Sequence, residues 1–186
     1  MEAFAKDFSH GRDRVNADRL RIAVVGAGSR GAGMAETLQA SPDWDLAAIC
    51  DVDSRRAGTV SEKLGGAPWF EAIDELLDSV EVDAVAIATP LRALFGTGMT
   101  ALRAGKHVLV AKPVTNDFQQ AVELVELAES VGRSLCVGQQ MRYNRHYSTV
   151  RGYVSGGALG SVEMMNFLNA KPRHEAKNLA KMDQPA

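Results

Sequence analysis

Residues 21–31 read Arg21-Ile22-Ala23-Val24-Val25-Gly26-Ala27-Gly28-Ser29-Arg30-Gly31, and twenty positions after Gly31 the chain reaches Asp51. Four consecutive apolar residues suit a strand buried on both faces of a parallel sheet. The glycines then fit the G-x-G-x-x-G pattern of a strand, turn and helix that holds a dinucleotide. Gly26 permits the tight turn, Gly28 lets a pyrophosphate approach backbone without meeting a Cβ, and Gly31 lets the new helix pack closely. The helix start at Ser29 and Arg30 would offer unpaired N–H groups and a positive dipole end to an anion. With 17 glycines in 186 residues the spacing alone is a weak signal. Its context strengthens it, because a second apolar strand, Asp45 to Cys50, ends at Asp51, where a carboxylate can bond a ribose hydroxyl.

Downstream, the same alternation continues. A first helix runs to about Ala40 with Met34, Ala35 and Leu38 inward, and Ser41-Pro42 stops it. Asp53 or Ser54 can cap a second helix that ends at Gly65-Gly66. Trp69-Phe70 is a short third strand or an edge segment, Glu71 to Ser79 a helix, and Ala84 to Ala88 a fourth strand closed by Thr89-Pro90. Leu91 to Ala104 reads as a helix weakened by Gly96 and Gly98, each costing about 1 kcal/mol against alanine. His107 to Val110 is the fifth strand, with Lys112-Pro113 just past its carboxyl end. Thr115 or Asn116 caps a helix whose apolar face is Phe118, Ala121, Val122, Val125 and Ala128, and Leu135 to Gly138 is the sixth strand. Six strands alternating with helices predict an α/β fold with a doubly wound parallel sheet, the Rossmann arrangement.

Beyond Gly138 the segment from Gln139 to Tyr147 is rich in hydrogen-bonding groups and leads into a helix ending near Gly156-Gly157. Ser161 to Leu168 reads as one further strand. The expected organisation is an arm at 1–20, a nucleotide-binding domain at 21–142, and a linker helix plus first strand of a truncated second α+β domain at 143–186. One strand cannot complete a domain.

Composition narrows the classes. The chain is 46% hydrophobic and 24% charged, with net charge -2 and a pI near 6.1, which argues against nucleic acid or an anionic membrane as partner. No apolar run reaches the length of a membrane span, and the first twenty residues mix charges without an apolar segment, so a soluble, cytoplasmic chain is expected. Cys50 and Cys136, each near a strand end, specify neither a metal site nor a disulfide framework, and no metal is expected.

Several separated segments resemble the Gfo/Idh/MocA family of NAD(P)-dependent oxidoreductases. They are the Gly26 to Gly31 turn, Cys50-Asp51-Val52-Asp53, Ala88-Thr89-Pro90, the run Ala104 to Pro113, and Ser155 to Gly160. The resemblance covers about residues 20 to 168. It implies a nucleotide-binding domain joined to a C-terminal sheet that holds substrate and can mediate homo-oligomerisation. It also implies hydride transfer between nicotinamide and an alcohol carbon of a sugar, cyclitol or related small molecule. Lys112 matches the family lysine beside the substrate hydroxyl, where an ammonium would polarise the reacting oxygen. Thr89, Pro90 and Arg142 fall at positions near cofactor or substrate.

Two departures stand out. Ala111 replaces the glutamate expected before Lys112. The family's catalytic histidine, in an Asp-x-x-x-His helix, has no match, since residue 170, four before His174, is alanine. The chain alone is therefore expected to bind dinucleotide and to turn over poorly or not at all. The alternative reading is a non-catalytic dinucleotide-binding module. Asp51 favours NAD by bonding the ribose and repelling a 2′-phosphate, while Arg30 and Arg55 are the groups that would favour NADP instead.

Overall fold

The computed structural model describes residues 19–168. The arm at residues 1–18 and the segment 169–186, with His174, lie outside the described residues. The chain divides into a first unit up to Gln139 and a second from Gln140.

In the first unit, strands β1 (Leu20–Val25), β2 (Trp44–Cys50), β3 (Trp69–Phe70), β4 (Ala84–Ile87), β5 (His107–Ala111) and β6 (Leu135–Gly138) form one sheet in the order β3-β2-β1-β4-β5-β6. Every pairing is parallel. The helices are α1 (Ser29–Gln39), α2 (Ser54–Lys63), α3 (Ile73–Ser79), α4 (Leu91–Arg103) and α5 (Phe118–Ser130). Because side chains alternate across a strand, β1 sends Ile22 and Val24 into one core and Ala23 and Val25 into another. The first core is closed by Ala35 and Leu38 of α1 and Ala57 and Val60 of α2. The other is closed by Leu76 of α3, Leu94, Ala101 and Leu102 of α4, and Leu124 and Ala128 of α5. Cys50 belongs to this second core, where burial first and the nearby Asp51 and Glu75 charges next push its thiol up to about 12, so it packs as a small hydrophobe.

Strand order reverses between β1 and β4, which places the turns after these strands side by side. There the glycines act as the spacing requires. Gly26 has φ of 94°, and a Cβ on it would lie 2.7 Å from the Ala88 carbonyl carbon. Gly31, in the first turn of α1, would bring a Cβ to 1.6 Å from the Gly26 carbonyl oxygen. The helix thus packs on the turn as well as beside the sheet.

Three local expectations need correction. The cap of α5 is Asp117, whose carboxylate accepts from the Gln120 N–H, rather than Thr115 or Asn116. The Thr115 hydroxyl instead accepts from the Asp117 N–H and donates to Gln120 Oε1, bracing the cap from outside the helix. The inner stripe of α5 runs through Leu124 and Ala128, leaving Phe118 84% and Val125 48% exposed. Its rotation follows from α4: Leu124 sits over Gly98, where a Cβ would come within 3.1 Å of Leu124 Cδ2. Gly98 weakens its own helix and provides the hollow that sets its neighbour.

In the second unit, a short 3-10 helix, Gln140–Tyr143, precedes α6 (Arg145–Ser155), capped by the Asn144 side chain on the His146 N–H. The predicted strand at Ser161 to Leu168 is not formed. A strand exists only through a ladder partner, and none stands beside this segment among the described residues; Met164, Met165, Phe167 and Leu168 are exposed there, with Phe167 touching Tyr147.

Two stability predictions follow from this packing. Gly31→Ala should destabilise the chain by about 3 kcal/mol through overpacking against fixed backbone. Gly33→Ala, whose Cβ would meet nothing within 4 Å, should stabilise it by about 0.5–1 kcal/mol; equal urea midpoints for the two would contradict the packing described. At the opposite end of the strands, where β5 begins, His107 Nδ1 accepts the Ser134 N–H at 3.0 Å, and burial first, then the Arg133 charge, holds its pKa below 6.5 against the opposing effect of Asp83. A depressed folded-state pKa means stability that is present above 6.5 and lost as pH falls through the folded value. His107→Gln should flatten the decline in melting temperature between about pH 7 and about pH 5; an unchanged slope would remove His107 from the account.

Candidate dinucleotide site

A cleft of about 270 Å³ opens where the strand order reverses, lined by Gly26, Gly28, Ser29, Arg30, Asp51, Arg56, Ala88 to Leu91, Leu94 and Ala111 to Pro113. It stands outside the carboxyl ends of β1, β2, β4 and β5, where open α/β sheets bind ligands. Backbone bonds tie its rims together: the Gly26 N–H donates to the Cys50 carbonyl at 2.7 Å, and the Ala88 N–H to the Val25 carbonyl at 2.7 Å.

Asp51 is only 7% exposed. Its Oδ2 accepts the Ala27 N–H at 2.7 Å and its Oδ1 the Asp53 N–H at 2.9 Å, so the carboxylate fastens the end of β2 to the middle of the glycine turn. Arg56 completes its environment, with Nη1 3.3 Å from each carboxylate oxygen and Nη2 3.2 Å from Asp53 Oδ2. Sequence reading named Arg55 for this region. The structure leaves Arg55 exposed and away from the cleft lining, and brings in its neighbour instead. The available signal was the helix start: with Asp53 as N-cap of α2, Arg56 is the third helical residue, the position that folds back over the cap. Arg30 lines the cleft from α1, as expected.

The residues present fit a dinucleotide. Gly28 has φ of -67° and ψ of -177°, a conformation open to any residue, and a Cβ on it would meet nothing within 4 Å. Nothing in the protein crowds this position, and a side chain there would take up room in the cleft. Thr89 Oγ1 is buried in the cleft wall without a hydrogen-bond partner, a polar atom placed where a ligand could satisfy it. Ser29 begins α1, whose N-cap Gly28 supplies no side-chain bond, so the first N–H groups of the helix are left to a ligand or water.

Lys112 and Pro113 line the same cleft, joined by a cis peptide bond. Ala111 before them is buried at the end of β5, so no carboxylate adjoins Lys112 from that position. Arg142 belongs to the second unit, in the helix Gln140–Tyr143; the cleft is built from the first unit. Among the described residues no cluster of three or more His, Cys, Asp or Glu could hold a metal ion, and no helix is long and apolar enough to cross a membrane.

Comparison with known proteins agrees with this geometry. The chain is 36% identical over 150 residues to inositol 2-dehydrogenase of Rubrobacter xylanophilus, covering 80% of this chain and 43% of that protein. It is 30% identical over 148 residues to D-glucoside 3-dehydrogenase of Escherichia coli, covering 77% and 41%. The crystal structure of GenD2 from gentamicin A biosynthesis, in complex with NAD, superposes with a TM-score of 0.73 at 30% identity, covering 76% of this chain and 40% of that one. The chain therefore spans less than half the length of these relatives. Residues 20–139, from the first residue of β1 to the end of the first unit, match the GFO_IDH_MocA family, described as an oxidoreductase family with an NAD-binding Rossmann fold, and the chain belongs to that family.

Proposed function

We propose that this chain is the nucleotide-binding portion of a dehydrogenase that binds NAD in the cleft at the β1–β4 reversal and acts on an alcohol carbon of a sugar, cyclitol or related polyol. The observation that carries the reading is Gly28, a glycine that backbone geometry does not require and that faces open cleft. Gly26 and Gly31 hold the turn, the start of α1 receives the diphosphate, and Asp51 takes the ribose hydroxyls. Bound nicotinamide would supply the hydride acceptor or donor. Lys112, on the far side of the cleft, would orient the substrate oxygen and stabilise negative charge developing on it. Thr89 and Pro90 form the wall between these two regions.

The substrate class is supported by the relatives, which are inositol and glucoside dehydrogenases. The residue exchanging the substrate proton, the walls that select a substrate, and any homo-oligomer contact belong in this reading to a substrate domain that begins with the second unit. Arg142 would contact the substrate or the nicotinamide side, and the assembled enzyme would work in the cytoplasm. Ala111 favours a second reading, in which the site binds dinucleotide without catalysing, because it removes the carboxylate expected to tune Lys112.

Titration calorimetry on the purified chain separates these claims from error. NAD should bind, and Gly28→Val should keep the wild-type melting temperature while weakening NAD by about tenfold or more, the cost of overpacking a close contact. Equal affinity in the variant would place the dinucleotide elsewhere. In the complete enzyme, Lys112→Ala should lower kcat by roughly 10²-fold with little change in NAD affinity. A wild-type kcat would remove Lys112 from the chemistry, and absence of any turnover before mutation would favour the binding module.

A further inference from the structure

The Asp51 carboxylate is already saturated. An ionised carboxylate offers about four acceptor sites. Two are taken by the Ala27 and Asp53 N–H groups, which are fixed by the turn and by the start of α2, and the other two face Arg56 Nη1 at 3.3 Å each. A ribose diol cannot reach Asp51 while all four are occupied. Of the three donors only Arg56 can leave, because it is a side chain, 49% exposed, held by long contacts and anchored separately to Asp53.

We propose that Arg56 is a displaceable stand-in for the ribose hydroxyls and a specificity-determining residue, which lets the cleft accept a 2′-phosphorylated adenosine as well as a free 2′-hydroxyl. This deepens the proposed function and rests on it. Arg56 occupies the acceptor sites that the ribose would claim, so on leaving Asp51 it stays beside the 2′ position, tethered by its helix. Its planar guanidinium then pairs with a 2′-phosphate through two parallel hydrogen bonds. While still near Asp51 it offsets the carboxylate charge that would otherwise repel that phosphate. For the unphosphorylated ligand the same contact is a competitor, since NAD must break it to use Asp51.

The two roles give opposite signs in one variant. Titration of the purified chain with NAD and with NADP should give dissociation constants within about tenfold of each other. Arg56→Ala should raise the NADP-to-NAD ratio of dissociation constants by about tenfold or more, with NAD binding unchanged or tighter. Arg56→Lys, which keeps the charge without the fork, should fall between, and it also serves if the alanine variant fails to fold, as judged by its melting curve. Arg55→Ala, on the exposed side of the same helix, should leave the ratio unchanged. A ratio unmoved by both Arg56 variants, or one moved equally by Arg55→Ala, would overturn the assignment. So would parallel loss of both dinucleotides in Arg56→Ala, which would make the residue a structural brace. If the wild-type chain binds neither dinucleotide, the proposed function itself fails and the assignment with it.

Discussion

The buried carboxylate of Asp51 is the contact on which the site depends. Its 2.7 Å bond to the Ala27 N–H crosses from β2 to the turn after β1 and fixes the middle of a glycine-flanked turn whose one packed side chain is the Ala27 methyl group. Hydrogen bonds to charged groups contribute about 1.5–3 kcal/mol, more than neutral ones, and this one lies out of water. Around it the tolerances are narrow. Gly26 turns with positive φ against the end of β4, and Gly31 brings α1 onto the Gly26 carbonyl with no room for a methyl group. Against those two, Gly28 stands out because nothing in the protein touches its missing side chain. Glycines that the packing requires and one that opens onto the cleft thus share one six-residue motif and are told apart by what a Cβ would meet.

Much of this was legible in the sequence because parallel sheets are written plainly. Strands such as Ile22 to Val25 and Ala84 to Ile87 are buried on both faces and are therefore continuous apolar runs, the first stopped at Gly26 and the second shortly after at Thr89-Pro90. The Asp53 cap and the Gly65-Gly66 stop of α2 were readable for the same local reason. What periodicity could not settle was rotation. In α5 two neighbouring stripes are both apolar, and the choice of Leu124 over Phe118 is made by a hollow at Gly98 on another helix, information that no local window contains.

The site divides along the same line. Gly26, Gly28, Ser29, Arg30, Asp51, Thr89, Pro90 and Lys112 converge on the cleft because each follows a strand or opens a helix at one end of the sheet, and topology gathers strand ends; Gly31 lies behind them, packed on Gly26. Arg56 was missed in favour of Arg55 because adjacent helical residues look alike in sequence while pointing about 100° apart. The strand expected at Ser161 to Leu168 failed for the converse reason: local composition describes a capacity to pair, and pairing needs a neighbour.

The central claim is that the Gly26–Gly31 turn and Asp51 receive a dinucleotide. Backbone amide chemical shifts of the isotope-labelled chain, followed by NMR during titration with NAD, test it residue by residue. The account predicts saturable shifts concentrated at Gly26 to Gly31, Asp51 to Asp53 and Ala88 to Thr89, with the N-terminal ends of the strands unmoved. Saturable shifts confined to another surface, or none at millimolar NAD (~1 mM, an affinity of only about 4 kcal/mol), would contradict it.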